Sequence, residues 1–307
     1  MLLSRVAENL YWAARNLERA EDTARIVLRH TDLLVDLPTA VPLNWDPLLA
    51  ITGTESAFQS SGHQFGETAI VSYLISDRTN TGSVSMCVAA ARENLRTTRE
   101  VIPREAWQVV NDLHLYVLAR HDEGVLRATR HRYLQHVISQ CQGLVGVLAG
   151  TMNRDYAYTV MRLGRNIERA DMTTRVLDTV AGELLSGNSA HHDIQWASVL
   201  KQLSALQMFR RSVRTAVGAD AVVQFCLRDS AFPRAVAHCF DEVAACLDRL
   251  PQISSAQAAC ELAKSHLNSA KLDGLTTHGL HELADQLQIN IGKIHDCVDA
   301  AFFSAHL

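Results

Sequence analysis

Two stretches decide how this sequence is read: Arg15-Asn16-Leu17-Glu18-Arg19-Ala20-Glu21-Asp22-Thr23-Ala24-Arg25 and Arg165-Asn166-Ile167-Glu168-Arg169-Ala170-Asp171-Met172-Thr173-Thr174-Arg175. Seven of the eleven positions are identical, two more are conservative, and the offset of 150 is close to half of the 307 residues. Helix propensity does not dictate Arg, Asn, Glu and Thr at matched places, so the pair reads as an internal repeat. A second series keeps the same order: Val71, Asp77, Val84 and Cys87 match Val223, Asp229, Val236 and Cys239 at an offset of 152, and Trp45 matches Trp196 at 151. The last third of each half matches only weakly. The expectation is two duplicated helical halves, 1–150 and 151–307, with pseudo-twofold symmetry, packed together as one compact body.

Around these stretches the chain reads as all-α, a multi-helix bundle. Only 15 Gly and 6 Pro punctuate it, and apolar residues recur in steps of three and four, as in Val6, Leu10, Ala13, Leu17, Ala20, Ala24 and Leu28. No alternating stretch is long enough for a sheet. The pattern predicts helices near 3–36, 64–76, 83–101, 104–119, 125–149, 154–186, 194–217, 233–249, 255–271 and 279–304. Pro38, Pro42 and Pro47 mark a short irregular connection, and residues 53–66 and 182–192 read as the main loops. Gly143, Gly146 and Gly150 suggest close helix packing or a helix end.

Composition narrows the function classes. A hydrophobic content of 48% and a net charge of -4 fit a folded core and not disorder. Lys+Arg of 29 against Asp+Glu of 33 gives a nucleic-acid surface no support. No run of about 18 uncharged apolar residues spans a bilayer. Arg5 and Glu8 argue against a signal peptide. Seven cysteines without a CxxC pair suggest reduced thiols in a cytoplasmic protein.

At 100° per residue, Glu8, Tyr11, Glu18, Arg19 and Asp22 fall on the side of Arg15, with the apolar series opposite. Tyr158, Arg162, Arg165, Glu168, Arg169 and Met172 form the equivalent stripe. Arg15/Arg19 and Arg165/Arg169 stack guanidiniums at i,i+4, where Glu18 and Glu168 relieve the repulsion. Asn16 and Asn166 support both motifs. Three readings stand open: a solvated charged face; a buried network fixing the packing of the halves, Glu18 with Arg169 and Glu168 with Arg19; or a cleft where guanidiniums bind a carboxylate or phosphate.

The opening 1–21, with 157–175 and Phe232-Pro233-Arg234, resembles the bacterial alpha-E domain family, named for an all-helical fold and a Glu-Arg motif, over essentially the whole chain. The resemblance carries the Glu-Arg pairs onto Glu18, Arg19, Glu168 and Arg169. Family members are found beside, or fused to, a circularly permuted ATP-grasp protein and near transglutaminase-like proteases. This implies an accessory or partner-binding role in a peptide-ligation system. The alternative is an enzyme acting on an anionic peptide-like substrate with Glu18 or Glu168 as general base. The family pattern has Ser where Ala235 stands here, although Ser83 keeps a hydroxyl in the first half.

Other chemistry finds little footing. Glu18-x-x-Glu21 and Glu168-x-x-Asp171 lack the His of a di-metal helical site, and adjoining Arg residues repel a cation, so no metal is expected there. His278, His281 and His295 satisfy no further ligand spacing and read as surface histidines. The cysteines sit at apolar helical positions. No phosphate-binding Gly loop or Gly-x-Ser-x-Gly elbow occurs, so no cofactor is expected.

Overall fold

Long apolar periodicities with few helix breakers produce an all-helical chain. The computed structural model describes residues 4–36, 44–185, 192–251 and 253–303. Among them there are fourteen helices and no strand. No described helix is long and apolar enough to cross a membrane.

The chain divides into two units. The first comprises Met1–Val35 and Pro42–Arg165, the second Asp36–Val41 and Asn166–Leu307. The first holds α1 (Ser4–Asp36), α2 (Pro47–Thr52), α3 (Glu55–Ser60), α4 (Glu67–Ile75), α5 (Val84–Arg96), α6 (Arg104–Val125), α7 (Arg127–Thr151) and the start of α8 (Tyr156–Leu185). The rest of α8 belongs to the second, with α9 (His192–Gln202), α10 (Leu206–Ser212), α11 (Ala219–Arg228), α12 (Val236–Leu247), α13 (Ser254–Ser269) and α14 (Thr277–Phe302).

In the first unit α5 packs on α6 and α6 on α7; in the second α12 packs on α13 and α13 on α14. The buried faces explain this layering. Val84, Cys87, Val88, Ala91 and Leu95 of α5 and Val236, Cys239, Phe240, Val243 and Cys246 of α12 recur at helical spacing and are buried.

The entries to these helices are alike in detail. Asp77 accepts the backbone N–H of Thr79 at 2.7 Å, and Asp229 that of Ala231 at 2.9 Å. The Cys87 thiol donates to the Thr81 carbonyl and the Cys239 thiol to that of Pro233, both at 3.6 Å. Ser83 caps α5 by accepting from Met86 N–H at 3.3 Å, whereas α12 starts after Ala235 with no side-chain cap.

Several short elements depart from the sequence reading. Pro47 opens α2 instead of closing a connection, because a proline at the first helical turn forfeits no hydrogen bond. Gly53, at φ 66°, ends α2, and α3 occupies part of the loop expected at 53–66. The helix expected over 194–217 breaks into α9 and α10 at Ser204, whose φ is 53°. Helix α11 was not anticipated. Pro38, Pro42 and most of the loop expected over 182–192 lie outside the described residues.

Gly143, Gly146 and Gly150 have open space where a Cβ would stand, so they do not mediate close packing. That role belongs to Gly164. A Cβ there would lie 2.6 Å from the Tyr11 carbonyl oxygen, and this contact sets how nearly α8 approaches α1 within the first unit.

Candidate functional site

The charged stripe of α1 does not face water. Glu18 is 2% exposed, Arg15 8%, and Tyr11, Glu21, Asp22 and Arg25 are also buried, as are Leu10, Ala13 and Leu17 on the opposite side. The helix is enclosed nearly all round. The solvated-face reading therefore fails, and its charges must be paired to be tolerated. Arg15, Glu18, Arg19, Arg165, Asn166, Glu168 and Arg169 all have interaction partners. On α8, Asn166 and Glu168 are buried, while Arg165 and Arg169 are partly exposed, as is Arg19 on α1.

Within the first unit three helices wall a cavity. Ala14, Leu17, Glu18 and Glu21 come from α1; Cys141, Val145 and Leu148 from α7; Tyr158, Met161, Arg162 and Arg165 from the start of α8. On each helix the spacing is three or four residues, so one face of each meets the space. The volume is about 20 Å³, room for about one water. The structure thus gathers Glu18 and Arg165 with Glu21 and Arg162 at one place. Asn166, Glu168 and Arg169 follow on α8, in the second unit.

Beside the cavity lies an ion cluster that the sequence reading did not single out. The Arg25 guanidinium donates to Asp22 Oδ1 at 2.7 Å and to Glu21 Oε1. Gln142 of α7 donates to the same Glu21 oxygen at 3.0 Å. The signal was present in the repeated Glu/Asp-x-x-x-Arg spacing, but Gln142 lies 121 residues from Glu21 and has no such signature. Arg15 lies over Trp12, with its central carbon 5.1 Å from the ring.

The thiol at this cavity is not primed for attack. Burial, aided by the Glu18 charge, pushes Cys141 up to about 12, so little thiolate exists near neutral pH. His278 and His281 lie elsewhere, in the second unit: His278 pairs with Glu282 at 3.1 Å, and His281 with Asp178 at 2.7 Å.

Carboxylates of α1 and guanidiniums of α8 thus share one water-sized space in an all-helical chain that carries a Glu-Arg motif. The chain belongs to the Alpha-E family, described as a predicted alpha-helical domain with a conserved ER motif, whose model matches residues 2–303. It is similar to uncharacterized proteins of Mycobacterium bovis and Mycobacterium tuberculosis, 24% identical over 96% of the chain. The match covers 36% of each relative, so the chain spans about a third of their length. No solved structure matches the chain.

Proposed function

We propose that this chain is an accessory, partner-binding helical component of a peptide-ligation system. Its partners in that reading are a circularly permuted ATP-grasp protein and a transglutaminase-like protein, and its Glu-Arg motif is a framework. The observation that carries the reading is the cavity at Glu18, with room for about one water. A general base must come within about 2.6–3.2 Å of the proton it takes, directly or through one water. Glu18 is 2% exposed at this space, which supports a framework role over contact with a peptide-sized substrate. The length of the relatives adds support. Most of each relative lies outside the matched region, which leaves room for a covalently joined partner domain. The free cysteines suit a reducing, cytoplasmic compartment.

We also infer that the two units descend from one duplicated helical ancestor. The support is the shared Asp77/Asp229 turn, the shared Cys87/Cys239 hydrogen bond and the common helix order behind them.

The purified chain mixed with the ATP-grasp protein should sediment as one complex and alter ATP turnover. Independent sedimentation of the two proteins overturns the partner reading. The enzyme reading, with Glu18 or Glu168 as base, draws on Arg162 and Arg165 standing at the Glu18 cavity. Turnover of an acyl or phosphoryl substrate by the isolated chain, abolished in a folded Glu18→Gln variant, would establish it instead. A framework role predicts a marked drop in melting temperature for that variant.

A further inference from the structure

We propose that His281 and Asp285 of α14, braced by Asp178 of α8, form a binding site for a divalent transition cation of the zinc class. The three residues belong to the second unit and lie outside the Glu-Arg motif, so the site does not depend on the accessory reading. One ligand atom from each residue lies within 4.8 Å of the others.

The geometry assigns separate roles. The two ring nitrogens of an imidazole point apart, so one cation takes only one of them. His281 Nδ1 stands 2.7 Å from Asp178 Oδ1, which fixes the ring with Nδ1–H donated to the carboxylate. That leaves the Nε2 lone pair facing outward, 3.5 Å from Asp285 Oδ2. Ligand atoms at 2.0–2.2 Å around a tetrahedral zinc are about 3.4 Å from one another. The Nε2–Oδ2 separation therefore already matches one edge of such a polyhedron. Residues 281 and 285 are i,i+4 on one helix face, and the carboxylate behind the ring is the device that ordinarily orients a zinc-bound histidine.

The surroundings favour a cation. Glu282, next to His281 on α14, adds a third carboxylate to the same turn. His281 and Asp285 are exposed, and water can complete the coordination. A nitrogen ligand selects zinc-like ions over magnesium or calcium.

Calorimetric titration of the whole chain with ZnCl2 should saturate at one ion per chain at sub-millimolar zinc, with MgCl2 giving no saturable heat. His281→Ala and Asp285→Asn, confirmed folded by circular dichroism, should lose that binding. Asp178→Asn should weaken it roughly 10–100-fold, the usual effect of losing such a brace. Cys297→Ser, which removes the one cysteine that is not fully buried, should bind as the parent does. Bound Co2+ should show d–d absorption without a thiolate charge-transfer band. Equal binding by His281→Ala and the parent, a thiolate band, or no saturable binding would each overturn the assignment.

Discussion

Glu21–Arg25 in the first unit and Asp171–Arg175 in the second are one local design, an acid four residues before an arginine, placed 150 residues apart. The first pair is enclosed, with both side chains 2% exposed, and Arg25 also holds Asp22. The second is open, with Arg175 32% and Asp171 17% exposed. Identical spacing thus yields a framework element in one place and a near-surface ion pair in the other. Burial decides which, because a buried charge without its partner is far costlier than a wet one.

The largest expected effect tests that contrast. Arg25→Met removes the guanidinium that holds the enclosed Glu21 and Asp22 carboxylates and should cost about 3–5 kcal/mol. Arg175→Met should cost below about 1 kcal/mol. Urea unfolding followed by tryptophan fluorescence reads both, since Trp12, Trp45 and Trp107 report the first unit and Trp196 the second. Equal losses in the two variants would erase the distinction.

A smaller effect belongs to a clamp of the first unit whose carboxylate has no counterpart at the matching position of the second. Glu67 at the start of α4 takes hydrogen bonds from Arg127 at 2.7 Å and from the buried Arg130 at 2.9 Å. Arg130 also donates to the carbonyls of Gly124 and Val125 and ties the α6–α7 turn. At the matching place in the second unit, 152 residues on, stands Ala219. Burial alone would raise the Glu67 carboxyl, but the bonds from Arg127 and Arg130 outweigh it and hold it below the usual glutamate value. The charged form is therefore favoured by folding. The clamp's stability is complete above the unfolded value near 4.3 and fades as pH falls through the lower folded value. Glu67→Gln should cost about 1–3 kcal/mol at neutral pH, with the gap to the parent closing in acid. A gap that stays constant down to pH 3 would remove the ionic clamp from the account.

The parts legible in the sequence were those written in short-range spacing. Periodicity exposes the long helices, and the Arg15–Arg25 match with Arg165–Arg175 marks the motif. A helical wheel places Glu18 beside Arg15, yet it cannot show that Cys141 and Gln142 of α7 close over that stripe, because their separation from it exceeds 100 residues. Ser204 reveals nothing of its left-handed conformation, so α9 and α10 read as one helix. Gly53 announces the same kind of turn after α2 because glycine is the residue that adopts it freely. Asp178 escapes a search for histidine spacing, since it reaches His281 across 103 residues.

The smallest effect concerns a single hydroxyl. Ser83 Oγ accepts the Met86 N–H at 3.3 Å and donates to the Asp77 carbonyl at 2.9 Å, so one side chain caps α5 and braces the turn before it. Ala235 occupies the matching place ahead of α12 with φ -69° and ψ 142°, close to the φ -63° and ψ 153° of Ser83. The backbone is thus shaped for a cap that α12 lacks. Ser83→Ala should destabilise by about 1 kcal/mol, and Ala235→Ser should stabilise by a comparable or smaller amount. The gain is bounded by space. Ala235 is fully buried, so the added oxygen must find both the helix N–H and an acceptor equivalent to the Asp77 carbonyl, which in the second unit is that of Asp229. Thermal unfolding of Ala235→Ser measures the balance. A lower melting temperature than the parent would mean that the second turn has repacked around the missing hydroxyl and that its likeness to the first is one of backbone alone.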